Sequence, residues 1–274
     1  MRTQMADGPQ SVVVTGAGRG IGRAIALDLA SRGLHVVCIS QSQNAEDTAQ
    51  SIRESGGAAT ALRLDLRDAA AASQRVAQWA ESAGFERFAV VLAAGTLGPM
   101  GPLHESNASL QCSAAAWLEC MQVNLLGNLA VARALFEPML AAGYGRIAAF
   151  AGGGSAYAYP MFPAYAASKT AMVRAIENLD CDLRGKGDFA TACLAPGAVE
   201  TDMLARVRAA GAEVRTTVDI AEPVQFVREF VFSKSCGFSG SFVHVRDNWR
   251  EYLNNGHELP DAALWKLRRM EPPR

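Results

Sequence analysis

Short runs of β-branched residues alternate with longer helical patterns along almost the whole chain. The apolar positions of the short runs are nearly continuous rather than strictly alternating, which is typical of parallel strands covered on both faces. The pattern predicts an α/β fold, a doubly wound sheet that binds ligands at the carboxyl ends of its strands. Predicted strands are SVVVTG (11–16), HVVCIS (35–40), ATALRLD (59–65), FAVVLAAG (88–95), RIAAFAG (146–152), FATACLAPG (189–197) and GSFVHV (240–245). Predicted helices cover 20–32, 44–55, 68–83, 114–141, 163–184 and 219–234.

The length and composition predict how many domains the chain forms. Its 274 residues, 50% of them hydrophobic, suit one large α/β domain or at most two small ones. Because no internal repeat and no linker rich in Pro, Ser or charge interrupts the pattern, we expect a single domain over 11–245. Residues 1–10 are expected to form a flexible lead. Residues 246–274 contain Trp249 and Trp265, which could cap the substrate pocket or sit in a subunit interface, so we expect this extension to pack on the domain or in an interface.

Charge and cysteine usage exclude several classes of function. A formal net charge of −1 gives no electrostatic reason to expect a nucleic acid or an anionic membrane as partner. No apolar run approaches the roughly 20 residues that span a bilayer, and the first ten residues lack the apolar core of a secretory signal. The six cysteines and four histidines are scattered, so no metal site is expected. These features favour a soluble protein in a reducing, cytoplasmic setting.

A glycine-rich loop follows the first predicted strand. The stretch TGAGRGIG (15–22) leads directly into an apolar helix. Such glycines let the backbone approach a pyrophosphate, whose charge is favoured by the N–H groups and the dipole at the helix start. The alternative is a tight turn that needs glycine only for its positive φ.

The spacing T-G-x-x-x-G-x-G, with YAASK about 150 residues later, resembles the short-chain dehydrogenase/reductase family. The resemblance covers roughly residues 10–245 and implies a single-domain, Rossmann-like sheet of about seven strands with helices on both faces. It also implies hydride transfer between NADP(H) or NAD(H) and a ketone or secondary alcohol. The matching pieces, in the family's order, are TGAGRGIG, LDLRD, LAAG, VNLLGN, YAASK and LAPGAVETDM.

The tyrosine and lysine of YAASK are the candidate catalytic pair. Tyr165 and Lys169 are four residues apart, so on a helix they share one face. A nearby ammonium favours the phenolate and lowers the pKa of a tyrosine, as acid–base work on an alcohol or ketone requires. The resemblance assigns the proton transfer to Tyr165, and the nicotinamide ribose to Lys169. It makes Asn124, in VNLLGN, the residue that bends its helix and holds a relay water. Taken singly, each has an ordinary structural reading as a half-buried, solvated or helix-interior residue.

Gly152 departs from the family pattern. Most relatives have a serine thirteen residues before the tyrosine, where its hydroxyl binds the reacting carbonyl oxygen. Losing one such donor can cost about 10²–10³ in rate when nothing replaces it. Three explanations are open: Ser155 or a glycine N–H reaches the same point, the substrate contributes a hydroxyl, or the chain is a nucleotide-binding regulatory or scaffold protein with little catalysis. We favour the first, because three consecutive glycines suggest close approach of the backbone to a ligand.

The end of the second predicted strand bears on the choice of cofactor. An acidic residue there accepts hydrogen bonds from the ribose in NAD-preferring enzymes, whereas this chain has Ser40 and Gln41. Arg19 resembles the basic residue that meets the 2′-phosphate of NADP in many relatives, although it could be a solvated loop arginine. We therefore predict a preference for NADP(H), with NAD(H) as the alternative. The expected cofactor-binding residues are Gly16, Arg19, Gly20, Ile21, Gly22, Ser40, Gln41, Asp65, Leu66, Ala94, Gly95, Tyr165, Lys169, Pro196, Gly197, Val199 and Thr201.

Two segments are expected to wall the substrate space, 157–162 and the loop 198–214. Their aromatic and soft apolar side chains favour a medium-sized, partly apolar carbonyl or alcohol. Arg206, Arg208 and Arg215 could meet an acidic group, but arginines in such a place are more often solvated. By analogy with relatives, a homodimer or homotetramer is expected. The expected substrate-side residues are Gly152, Gly153, Ser155, Tyr157 and Met203, with Tyr159, Met161 and Phe162 nearby.

Overall fold

The computed structural model describes residues 8–102, 114–214 and 216–268, so Cys112 and Arg215 lie outside the described residues. One parallel sheet of seven strands forms the centre, in the order β3-β2-β1-β4-β5-β6-β7. This confirms the predicted fold class; β2 ends where the pattern placed it, and the other six strands end one to three residues earlier than predicted. The strands are β1 Ser11–Thr15, β2 His35–Ser40, β3 Ala58–Arg63, β4 Phe88–Leu92, β5 Tyr144–Phe150, β6 Asp188–Ala195 and β7 Ser241–His244.

The helices of the described residues cover both faces of this sheet. They are α1 Gly20–Ser31, α2 Asn44–Glu54, α3 Ala69–Ala83, α4 Ala114–Met121, α5 Asn128–Arg133, α6 Phe136–Ala142, α7 Pro163–Leu183, α8 Asp202–Ala209 and α9 Ala221–Val231. Helix α8 was not predicted; Thr201 caps it, its Oγ1 accepting the Leu204 N–H at 3.4 Å. The apolar positions of this segment are few and lie among charged residues, so the hydrophobic pattern did not indicate a helix there.

The stretch 114–141 is helical but not continuous, and its first interruption contains Asn124, which we expected to bend the helix. A π-helical segment, Gln122–Gly127, separates α4 from α5, and a second break separates α5 from α6. Side-chain bonding supports the π-segment, because Asn128 Nδ2 donates to the Val123 carbonyl five residues earlier at 2.8 Å. Close packing adds to this: a Cβ on Gly127 would lie 2.2 Å from the Leu66 carbonyl oxygen. Contacts across the fold, which periodicity does not encode, set this local geometry.

Two hydrophobic clusters fill the space between the sheet and its two helical layers. On β1, Val12 and Val14 face one cluster and Val13 faces the other. All five residues of β1 are buried, as are all five of β4. The continuous apolar runs in the sequence therefore reflect burial on both faces.

Strand order reverses between β1 and β4, which places a crevice at the carboxyl ends of these two strands. Buried side chains hold the crevice in shape. Thr15 Oγ1 donates to Asn128 Oδ1 at 2.6 Å and accepts the Ala94 N–H at 3.1 Å, while Asn128 Nδ2 donates to the Ala94 carbonyl. Asn128 thus supplies the polar side-chain contacts at this point.

The segment after β7 folds back against the sheet. The Phe242 N–H on edge strand β7 donates to the Trp265 carbonyl at 2.8 Å. Trp249 is buried and meets Phe226 edge-on, with ring centroids 4.9 Å apart. Arg174 on α7 donates to the Leu267 carbonyl. These contacts cover the outer edge of β7 and bring the segment beside α7.

No single helix in the described ranges is long and apolar enough to cross a membrane. The bent pair Ala114–Arg133 and Phe136–Ala142, at 45° to each other, meets the length and composition criteria only when taken together.

Candidate active site

A cavity of about 810 Å³ opens at the carboxyl ends of the central strands. It is walled by the glycine loop, the start of α7, the segment after β6 and the residues around β7. Twelve predicted site residues line it: Ile21, Gly95, Gly152, Gly153, Tyr157, Tyr165, Lys169, Pro196, Gly197, Val199, Thr201 and Met203. Tertiary folding thus brings residues more than 180 positions apart in sequence into one concave site.

The glycine loop has the form of a phosphate cradle. Gly16 and Gly20 have φ of +68° and +54°, a backbone conformation that other residues rarely adopt. Close packing holds the loop on the first turn of α1, since a Cβ on Gly22 would lie 2.3 Å from the Gly16 carbonyl oxygen. The N-cap residue Arg19 makes no side-chain hydrogen bond to the helix start, so the first-turn N–H groups stay available. These residues fit a dinucleotide pyrophosphate.

Tyr165 and Lys169 lie buried on the same face of α7. Lys169 Nζ is 5.8 Å from the centroid of the Tyr165 ring and donates to the Phe150 carbonyl at 2.8 Å. Burial raises the pKa of the Tyr165 hydroxyl well above 10, and the neighbouring Tyr159 and Cys120 add to the shift. Burial lowers the pKa of Lys169 from its usual 10.5 to about 8. In this structure the phenol is therefore protonated at neutral pH and the lysine is mostly charged.

The lowered pKa of Lys169 predicts how the free energy of unfolding depends on pH. Between about pH 8 and 10.5 the unfolded chain binds the lysine proton and the folded chain does not, so this group contributes stability that rises with pH. In urea unfolding, wild type is expected to gain up to about 3 kcal/mol relative to Lys169→Met from pH 7.5 to pH 10.5. The exposed Lys234→Met is the control and should follow wild type at each pH. An identical pH slope in wild type and Lys169→Met would contradict the assignment.

Asn124 lies in the π-segment and connects the crevice to α7. Its Oδ1 accepts the Thr96 N–H at 2.7 Å, and its Nδ2 donates to the Thr96 carbonyl and to Ser168 Oγ, both at 2.9 Å. Ser168 in turn donates to the Tyr165 carbonyl at 2.7 Å. A Cβ on Gly95 would lie 3.4 Å from Asn124 Oδ1 and 3.5 Å from Lys169 Nζ, so both groups converge on Gly95. Sequence reasoning missed Thr96 and Ser168, for which no local motif gives a signal.

The Tyr165 hydroxyl fills the space beside Gly152. A Cβ on Gly152 would lie 2.2 Å from Tyr165 Oη and 2.8 Å from Cζ of its ring. The Gly152 N–H donates to Ser155 Oγ at 3.1 Å, and Ser155 is buried and is not among the residues that line the cavity. A glycine N–H or Ser155 in the serine's place at the substrate stays a prediction, and this placement does not support Ser155. Its hydroxyl is turned back into the glycine turn.

The predicted adenosine-end residues form a polar surface beyond the glycine loop. Ser40 Oγ donates to the Ser42 carbonyl at 3.0 Å, and Gln41 Nε2 donates to Asp65 at 3.3 Å. Arg67 also pairs with Asp65 and holds the pKa of that carboxyl below its usual value. Arg19 forms an exposed ion pair at 3.3 Å with Asp202 at the start of α8.

The substrate side of the cavity includes a wall in which, of the lining residues from β7 onward, only Trp265 was considered from the sequence, as a cap of the pocket. Tyr159 stacks on Phe162 at 4.9 Å, and Met203 comes from α8, as expected for an apolar wall. Further side chains come from β7 and the segment after it. A tryptophan near the end of a chain predicts that the segment packs against the protein, but it does not predict which surface the segment contacts. These additional lining residues are Phe242, His244, Asp247, Trp265, Lys266 and Leu267.

The family model for the short chain dehydrogenase matches residues 10–212. Among curated proteins, the chain is 31% identical to a 3-oxoacyl-[acyl-carrier-protein] reductase of Aggregatibacter actinomycetemcomitans over 198 residues, covering 71% of this chain and 78% of the relative. It is also 31% identical to the cis-4-hydroxycyclohexanecarboxylate dehydrogenase of Sinomonas cyclohexanicum, covering 77% of this chain and 81% of the relative. The chain therefore belongs to the short-chain dehydrogenase family. The two relatives above are named as a reductase and a dehydrogenase.

Solved structures agree with this placement. A candidate NAD(P)-dependent gluconate 5-dehydrogenase from Beutenbergia cavernae, with bound NADP at low occupancy, superposes with a TM-score of 0.78 at 30% identity, covering 89% of this chain and 98% of that one. A 7α-hydroxysteroid dehydrogenase complexed with NADH and 7-oxo glycochenodeoxycholic acid has the same fold, with a TM-score of 0.73 at 21% identity over 86% and 92% of the two chains.

Proposed function

We propose that this protein is an NADP(H)-preferring oxidoreductase that interconverts a ketone and a secondary alcohol. The observation that carries the proposal is the placement of Tyr165 and Lys169, buried on one face of α7, in the same cavity as the glycine loop. A tyrosine and a lysine on a helix are ordinary residues when taken singly. Their convergence with a phosphate cradle is what acid–base chemistry beside a nicotinamide requires.

The chain's own residues fit the proposed cofactor. The first turn of α1 would bind the pyrophosphate, Asp65 and Leu66 would lie near the adenine, and Lys169 would bind the nicotinamide ribose. Residues after β6, including Pro196, Gly197, Val199 and Thr201, would line the nicotinamide. When bound, the cofactor supplies or accepts the hydride.

Tyr165 would supply the proton in the reducing direction. In this structure burial raises the pKa of its hydroxyl, opposite to the lowering by Lys169 that the sequence predicted. The phenol therefore keeps its proton at neutral pH, and this is the proton it would donate from Oη to a carbonyl oxygen. The charged Lys169 would stabilise the phenolate that this donation leaves. Asn124 would hold the π-segment against α7 and support a water that returns the proton.

The cavity wall indicates the class of substrate. Tyr159, Phe162, Met203 and Leu97 form an apolar cluster around Tyr165, which suits a medium-sized, partly apolar carbonyl compound. The alternative of a regulatory or scaffold protein that only binds the cofactor rested on the missing hydroxyl at Gly152. The similar proteins are named dehydrogenases and reductases, which favours the enzyme.

The first test is NADPH oxidation by the purified protein against a panel of cyclic, aromatic and long-chain ketones, beside small keto acids. We expect turnover with the apolar ketones and little with the acids. Tight binding of NADPH without turnover on any carbonyl of the panel would favour the binding protein instead.

A homodimer or homotetramer is part of the same proposal. Leu118 and Leu126, on α4 and the π-segment, are 60% and 51% exposed, and a subunit interface there would cover them. Light scattering at micromolar concentration is expected to give a multiple of the chain mass. A monomeric mass would contradict this part of the proposal.

A further inference from the structure

The end of β2 carries an arginine contributed by the neighbouring strand. Ser40 and Arg63 are register partners at the ends of β2 and β3. Arg63 Nε donates to the Gln41 carbonyl at 3.1 Å. This bond uses one of the five guanidinium N–H groups. The side chain is exposed, and no described residue provides an acceptor for its two terminal nitrogens.

The other arginines near this point are already paired. Arg19 bridges to Asp202, Arg53 to Glu46, and Arg67 to Asp65 and Glu119. Arg63 makes no such ion pair among the described residues. Among these arginines, Arg63 can therefore bind an anion without first breaking an ion pair with a carboxylate.

The surroundings of Arg63 suit a phosphate. Residues 40 and 41 are neutral, so no carboxylate stands at the end of β2 itself. The nearest acidic group on this surface, Asp65, is neutralised by Arg67 and also accepts a hydrogen bond from Gln41. Ser40 and Gln41 add neutral polar groups beside the guanidinium, and their hydrogen bonds are to exposed partners that water can replace.

We propose that Arg63, rather than Arg19, binds the 2′-phosphate of NADP(H). In dinucleotide-binding folds the ribose 2′ position lies at the end of the second strand, where an arginine accommodates the phosphate. The terminal nitrogens of Arg63 are free to form charge-assisted, paired hydrogen bonds to phosphate oxygens. This inference rests on the proposed function and adds to it the residue that selects the cofactor.

The test compares two probes by calorimetry, 2′,5′-ADP and 5′-AMP, which differ by the 2′-phosphate. Arg63→Ala is expected to lower the affinity for 2′,5′-ADP about 10- to 100-fold and to leave the affinity for 5′-AMP unchanged. Arg75→Ala, at an exposed arginine on α3 that does not line the cavity, is the control and should change the binding of both probes by less than about threefold. Arg19→Ala tests the competing assignment. Arg63→Lys should recover only part of the loss, because an ammonium lacks the planar fork.

The possible outcomes distinguish a failure of the role proposed for Arg63 from a failure of the proposed oxidoreductase function. A selective loss in Arg19→Ala with none in Arg63→Ala would overturn the inference, as would equal affinity of the wild-type protein for NADPH and NADH. In both cases the oxidoreductase could still turn over a ketone. If the wild-type protein binds neither dinucleotide, the inference and the proposed function both fail.

Discussion

Replacement of Tyr165 with phenylalanine is expected to reduce kcat/KM by about 10²–10⁴, the range that a positioned general acid contributes. The substitution removes one oxygen and keeps the buried ring, which packs against Gly152 and in the cluster with Leu97 and Phe162. The dissociation constant of NADPH, measured by fluorescence titration, should change little. A loss of turnover with retained binding would identify the hydroxyl as the source of the proton.

Tyr157 provides the matched control. It lines the rim of the same cavity but is 85% exposed, so its hydroxyl is not positioned for proton transfer. Tyr157→Phe should retain kcat/KM within about threefold of wild type. If Tyr165→Phe also retains full turnover, another group is the acid and the mechanism proposed here is wrong.

Replacement of Gly152 with serine is expected to lower kcat/KM by about 10²-fold, although serine is the residue that most relatives have there. The added Cβ would lie 2.2 Å from Tyr165 Oη, so either the tyrosine or the glycine turn must move. A displacement of about 1 Å in a catalytic group can cost 10² in rate. Steady-state kinetics of Gly152→Ser and Gly152→Ala should show similar losses, because both variants share the Cβ.

Gly153→Ala separates this contact from a general effect on the glycine turn. Its Cβ would meet the Tyr159 ring at 3.2 Å, which a small shift relieves, and would leave Tyr165 in place. We expect it to keep most of the wild-type activity. Higher activity of Gly152→Ser than of wild type would contradict the geometry and would indicate that this site lacks only a hydroxyl.

The sheet was predictable because each strand carries its own signal. Burial on both faces makes the strands of a parallel sheet apolar throughout, as in β1 and β4, and turn residues delimit them. The pair in YAASK was predictable for a similar reason, since a spacing of four on a helix sets a shared face. The helical stretch 114–141 with a bend at Asn124 was expected, but the π-helical form of the bend was not, because it depends on Asn128 and on the approach of Gly127 to Leu66.

The sequence by itself determined the strand and helix order, the phosphate loop and the tyrosine–lysine pair, since each depends on neighbours a few residues away. Only the tertiary structure decided which groups surround them. It turned Ser155 away from the cavity, paired Arg19 with Asp202 and placed Arg63 beside Gln41. It also brought Trp265 to the cavity wall. Such contacts join residues far apart in the chain, and their geometry is set by packing and charge pairing that no local pattern records.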